Sequence, residues 1–286
     1  MASISAEDVK ALRSQTGAGM MDCKRALADA GGDNERAIEL LRERGLAKAG
    51  KRAGRVTSEG VIGIARAGAV AAIVELGCET DFVARTDEYQ ALAQQIAKLV
   101  AASADLTTVE KTLAARLGKE SVEERIQAAI GKLGENVELK RVARLGVSRG
   151  VTGGYVHAGG KLGVIVAIEA PSPNGALEAL AKDVAMHVAA ADPTPLSVDR
   201  DGMPEEVIEK ERRVLRAQAE QSGKPGGVID KMVEGRLRKF FAEHCLIEQA
   251  FVKDPDKSVG DVIRSVAADA SVRAFERFRL GEGSTG

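Results

Sequence analysis

The feature that most restricts what this chain can become is a plan written twice. Residues 60–67 and 69–78 are two β-branched, alanine-rich runs turning at Gly68, and 87–102 then takes up a helical period through Tyr89, Leu92, Ile96, Leu99 and Val100. Further on, 152–157 and 162–169 flank a glycine-rich turn and lead into a helix from Ala176. There Ala185-Met186-His187-Val188-Ala189-Ala190 echoes Ala97-Lys98-Leu99-Val100-Ala101-Ala102. Two strand, strand, helix units in one chain imply an internal duplication. The fold class that follows is α+β, with a duplicated antiparallel sheet and helix core.

The duplication shows what one copy has and the other lacks. After its second strand the first copy carries Glu79-Thr80-Asp81-Phe82-Val83, where the second carries Pro171-Ser172-Pro173-Asn174. The chain has no Trp and only 3% aromatic residues, yet it places Phe82 in a polar turn. On residue type alone, burial beneath its own helix is the favoured reading of such a phenylalanine.

Around this core the chain divides further. Residues 1–46 are helical, with Ser5 as N-cap and Val9, Leu12, Ala26, Leu27, Ala37, Ile38 and Leu41 at helical spacing, broken at 17–19 and 31–33 into three short helices. A unit so close to the lower size limit for an independent domain needs an outside surface for its apolar face, which marks it as a binding module. Residues 47–57, with Lys48, Lys51, Arg52 and Arg55 among Gly and Ala, read as a basic tether. The first core subdomain then spans 58–150 and the second 151–203. Residues 204–245 hold two helical segments around 222–227, a helical hairpin of coiled-coil type inserted in the second subdomain. The rest, 246–286, closes that subdomain with a strand over 273–280 and ends in a flexible tail from 281.

Composition removes several function classes. Lys plus Arg total 41 against 42 for Asp plus Glu, so there is no overall pull toward polyanions and nucleic acid is not the expected partner. Cys23, Cys78 and Cys245 are few, odd in number and far apart, which fits a reducing cytoplasm. The start has neither a basic n-region nor an apolar stretch, and no run approaches the roughly 18 apolar residues of a membrane span, so neither export nor insertion is expected.

Catalytic motifs are largely missing. The Gly-Lys pairs at 118, 131, 160 and 223 are followed by Glu, Leu, Leu and Pro, not by the Ser or Thr of a P-loop. Gly17-Ala18-Gly19 lacks the third glycine of a dinucleotide loop and follows a helix where a strand is required. His157, His187 and His244 show no metal-ligand spacing, and His187, among apolar helical positions, reads as a hydrogen-bonded core histidine. No cofactor or metal is expected. Two further readings stand beside a protein-binding one: an RNA-binding adaptor using Lys48, Lys51, Arg52 and Arg55, and an enzyme using Cys78 or His157.

Two long stretches carry a resemblance. Thr16-Gly17-Ala18-Gly19-Met20-Met21-Asp22-Cys23-Lys24 and Cys78-Glu79-Thr80-Asp81-Phe82-Val83-Ala84 resemble, in order, the two signatures of the elongation factor Ts family. The likeness continues through Tyr155-Val156-His157, Met186-His187-Val188-Ala189-Ala190, Ser222-Gly223-Lys224-Pro225 and 231–236, and so covers nearly the whole chain. It implies a protein without an active site that binds the GTPase elongation factor Tu, in its GDP-bound and nucleotide-free forms, and promotes GDP release. It also implies that the N-terminal helices are UBA-like and touch the nucleotide domain through Thr16, Gly17, Met20, Met21 and Asp22. Thr80, Asp81, Phe82 and Val83 would form the exchange motif, the Phe wedging beside the magnesium and phosphate site, and His157 would meet a distal domain of the partner. That reverses the burial expected of Phe82. Many members continue beyond 281–283 into a further C-terminal helix that touches the partner, whereas the sequence here runs to Gly286.

Overall fold

The computed structural model describes residues 4–52, 54–221, 223 and 225–282. Its packing separates two compact units, one of Met1–Gly63, Val74–Ala143 and Arg279–Gly286, the other of Ile64–Ile73 and Arg144–Phe278. Helices and sheets are mixed throughout, an α+β fold.

The first unit begins with three helices, α1 (Ala6–Thr16), α2 (Met20–Asp29) and α3 (Asn34–Arg52). Ser5 opens α1 with a capping box: its hydroxyl accepts the Asp8 amide at 3.1 Å while the Asp8 carboxylate accepts the Ser5 amide at 3.0 Å. Val9, Leu12, Cys23, Ala26, Leu27 and Ala37 form the small core between the three helices.

Helix α3 runs into the stretch read as a tether over 47–57 and continues through Lys51 to Arg52, while residues 54–57 carry neither helix nor strand. Ala, Lys and Arg are strong helix formers, and the cations of the last turn complement the helix dipole. Arg52 then donates to the Ile130 carbonyl at 3.2 Å. The Lys48 side chain of that basic run, Ser222 and Lys224 of the hairpin turn, and the tail from 283 lie outside the described residues.

The chain continues through β1 (Glu59–Ala67), β2 (Val70–Cys78), α4 (Asp81–Ala84), α5 (Asp87–Ala102), α6 (Val109–Ala114), the short pair β3 (Arg116–Leu117) and β4 (Glu120–Ser121), α7 (Val122–Leu133) and β5 (Val137–Gly146). The sheet order is β1-β2-β5. Helix α7 packs against α3. A Cβ on Gly131 would lie 3.2 Å from the Gly45 Cα, so α7 and α3 touch backbone to backbone, and Arg42 pairs with Glu124 at 2.7 Å.

In the second unit follow β6 (Gly150–Val156), β7 (Leu162–Glu169), α8 (Gly175–Ala190), α9 (Glu205–Glu220), α10 (Gly226–His244), β8 (Ala250–Phe251), β9 (Asp254–Ser258), α11 (Val259–Val266) and β10 (Ser271–Arg279). β6 and β7 pair antiparallel from Gly150 opposite Glu169 to Val156 opposite Gly163. The order β6-β7-β10 repeats that of the first sheet, with a later strand added beyond the second. Val164, Val166 and Ile168 of β7 pack with Leu177, Val184 and Val188 of α8, and Leu246, Val259 and Ile263 complete this core. Helices α9 and α10 pair through Leu215, Ala219, Ile229, Val233 and Leu237.

The two copies share their tightest backbone contacts. Gly63 and Gly153, in the first strand of each, let the helix above approach so closely that an added Cβ would stand 2.7 Å from the Ala93 carbonyl oxygen and 2.0 Å from that of Ala181. Both alanines sit four residues ahead of the echoed hexapeptide. Gly60 and Gly150 adopt φ 153 and 149, a conformation closed to L side chains, with an added Cβ 2.2 and 2.0 Å from the carbonyl oxygen of the adjoining strand.

Candidate functional site

The second strand of the first copy ends at Cys78, and the chain turns at once into α4, a single helical turn, before α5 begins. In the second copy β7 passes to α8 with no helix between, Asn174 capping α8 directly by accepting the Leu177 amide at 2.9 Å. The inserted turn holds all four residues of the expected motif, Thr80 as N-cap and Asp81, Phe82 and Val83 within it.

Each of the four has a different environment. Thr80 is half-buried and does not use its side chain to cap α4; its hydroxyl donates to Glu135 Oε1 at 2.5 Å and its amide to Glu135 Oε2 at 2.9 Å. Asp81 pairs with Arg85 one helical turn on, at 2.9 Å. Phe82 is 81% exposed, against 9% for Val83, which faces the core. The ring is thus held outside its own molecule, as the resemblance implied and contrary to what residue type alone favours.

The turn is fastened at both ends. The Cys78 thiol donates to the Thr80 carbonyl at 3.2 Å, and burial pushes its pKa up, so it stays a thiol. The buried Tyr89 ring sends its hydroxyl to the Leu76 carbonyl at 2.7 Å. Thr86 donates to the Val83 carbonyl at 2.8 Å and caps α5 by accepting the Tyr89 amide. Glu79 accepts the Asn136 amide at 2.6 Å and stands 3.5 Å from Arg55. Sequence reasoning placed Glu79 in the motif without a role and missed Glu135 and Asn136 as parts of this site. Glu135 lies 55 residues from Thr80, and no local spacing links them.

The N-terminal candidates fall on the junction of α1 and α2. Gly17 closes α1, Thr16 hydrogen-bonds back to Leu12 at 2.7 Å, and Asp22 pairs with Arg25 at 2.7 Å. Met20 and Met21, in the first turn of α2, are 41% and 63% exposed. Thr16 and Asp22 line a cleft of about 320 Å³ whose far wall includes Gln127 and Lys132 of α7.

In the second unit His157 is exposed just beyond β6, its Nδ1 3.0 Å from the Tyr155 hydroxyl. His187 is buried as read from sequence. Its Nε2 meets Gln249 Oε1 at 3.0 Å and its Nδ1 accepts the Val252 amide at 3.2 Å, which fixes the proton on Nε2. Among the described residues no group of His, Cys, Asp and Glu could hold a metal ion, and no helix is long and apolar enough to cross a membrane.

Comparisons with known proteins agree with one another. The family described as "Elongation factor TS" matches residues 79–282. The chain is 45% identical over 282 residues to the elongation factor Ts of Thioalkalivibrio sulfidiphilus, covering 98% of this chain and 93% of that one. It is 48% identical over 290 residues to that of Sinorhizobium medicae, with 98% and 94% covered, and 44% identical over 287 residues to that of Clostridium perfringens, again with 98% and 94% covered. The chain belongs to the elongation factor Ts family.

Proposed function

We propose that this protein is the guanine nucleotide exchange factor of elongation factor Tu, acting in the cytoplasm during translation elongation and performing no bond chemistry of its own. The observation that carries the reading is Phe82: a ring left 81% exposed on a helical turn whose two ends are hydrogen-bonded in place. Such a ring can press into a partner without first paying for its own ordering.

The target of that pressure is the partner's magnesium and phosphate site. Magnesium keeps a near-ideal octahedral shell and tolerates little distortion, so a wedge that shifts the surrounding groups weakens the counter-charge on GDP. Linkage makes the effect reciprocal: the exchange factor weakens GDP by the factor by which GDP weakens the exchange factor, and incoming GTP displaces it in turn. Thr16, Gly17, Met20, Met21 and Asp22 contact the nucleotide domain, with the two exposed methionines as adaptable apolar contacts. His157 contacts a distal domain.

The other readings lose support. Arg52 is bonded to the Ile130 carbonyl and Arg55 is paired with Glu79, so half of the basic run meant for RNA is engaged within the molecule. Cys78 is a buried, protonated thiol, poorly suited to be a nucleophile. The test is release of fluorescent GDP from elongation factor Tu by stopped flow. Phe82→Ala slows it about tenfold or more, a loss of roughly 1.4 kcal/mol; an unchanged rate refutes the wedge.

A further inference from the structure

We infer that Glu135 and Asn136, on the loop between α7 and β5, are positioning residues for Phe82, and that they set how fast the partner's nucleotide leaves and not how readily the partner is engaged. The inference rests on reading residues 80–83 as the exchange element.

The geometry is a reciprocal clasp. The carboxylate of Glu135 takes the Thr80 amide and hydroxyl, at 2.9 and 2.5 Å, while the carboxylate of Glu79 takes the Asn136 amide at 2.6 Å. Each of two adjacent residues on one segment is thereby joined to an adjacent pair on the other. The Asn136 side chain adds a bond to the Arg55 carbonyl at 2.9 Å, and the Arg55 guanidinium stands 3.5 Å from Glu79.

Helix α4 needs this support. It has four residues, and a single turn does not hold its shape in water, because fixing the dihedrals of so short a helix costs more than its few backbone hydrogen bonds return. Thr80 has turned its hydroxyl away from the helix it should cap and toward Glu135. The direction of the Phe82 ring is therefore imposed from outside α4, by Glu135 at one end and Thr86 at the other. A ring on a yielding base still covers the same partner surface but relaxes instead of displacing what it meets.

The experiment measures GDP release from elongation factor Tu against concentration of the full chain, for wild type, Glu135→Ala, Glu135→Gln and Phe82→Ala. Glutamine keeps both bonds, its oxygen accepting the Thr80 amide and its NH₂ donating to the hydroxyl. Glu135→Ala lowers the saturated rate fivefold or more with half-saturation within threefold of wild type, and Glu135→Gln stays within twofold on both. A merely destabilised protein would do the opposite, shifting half-saturation while keeping the plateau, because only its active fraction falls. If Glu135→Ala does not fold, Thr80→Val removes the hydroxyl partner alone and lowers the plateau threefold or more. A wild-type plateau in Glu135→Ala, or in Thr80→Val where that variant stands in for it, beside a slow Phe82→Ala overturns the inference alone. So does a Glu135→Gln as slow as Glu135→Ala. A wild-type plateau in Phe82→Ala removes the underlying reading and the inference with it.

Discussion

Phe82 and Val83 are neighbours in one helical turn and face opposite ways, the ring 81% exposed and the isopropyl group 9%. Activity and stability should therefore separate at this pair. Phe82→Ala should leave the urea midpoint within about 0.5 kcal/mol of wild type, as for other exposed sites, while slowing exchange. Val83→Ala should cost about 1.5 kcal/mol for the buried carbons removed. Equal stability losses in the two variants would show that the ring is packed after all.

Tyr89 reaches under the sheet to the Leu76 carbonyl, and burial pushes its hydroxyl pKa far above the ordinary value, so the donor never ionises. Tyr89→Phe keeps the ring and deletes the bond. We expect a loss of about 1–2 kcal/mol in equilibrium denaturation, the cost of stripping a buried carbonyl of its donor. No loss would mean that another donor reaches that oxygen.

Acid should act through His187. Burial holds its pKa below the ordinary 6.5, opposed in part by the Gln249 bond, and a proton on Nδ1 would face the Val252 amide head-on. As pH falls through 6.5 the unfolded chain binds a proton that the folded chain refuses. Stability therefore rises with pH in the window below 6.5 and is lost on acidification. Between pH 7.5 and 5.5 the wild type should lose about 1 kcal/mol more than His187→Leu, which installs the residue found at the matching position of the first copy. Parallel pH profiles for the two proteins would remove His187 as the cause.

Glu75 of β2 is almost wholly buried and meets Arg141 of β5 at 2.5 Å, and Arg141 also donates to the Arg279 carbonyl at 2.7 Å. Arg141→Ala strands the carboxylate without its counter-charge and should cost about 3 kcal/mol. Arg141→Met with Glu75→Met should recover much of that loss. If the double variant is as unstable as the single one, the hydrogen bond to Arg279 carries the effect and the ion pair does not.

The same pair explains what could and could not be read from the sequence. Both hairpins and the helices above them were visible because β-branched runs and helical apolar spacing are local signals. β5 was not, because its exposed and half-buried positions carry Lys140, Arg141 and Arg144, and one of these charges faces a buried glutamate that only the fold reveals. α7 and α11 were overlooked despite usable signs, the capping boxes Ser121 with Glu124 and Ser258 with Asp261. Residues 47–52 look like a linker because glycines and cations do, whereas here alanines and the docking of Arg52 prolong a helix. At the site, comparing the two copies singles out residues 79–83 and the resemblance supplies their role, but nothing in their neighbourhood pointed to Glu135, since long-range hydrogen bonds leave no periodicity behind.

The clasp across residues 79–80 and 135–136 also limits how this element can travel. Copying residues 78–89 into the second hairpin, whose strands and glycines would accept them, would transplant a finger without the hand that grips it. An engineered donor would have to bring the distant loop as well, so the smallest portable piece of this protein is a pair of segments, not a peptide.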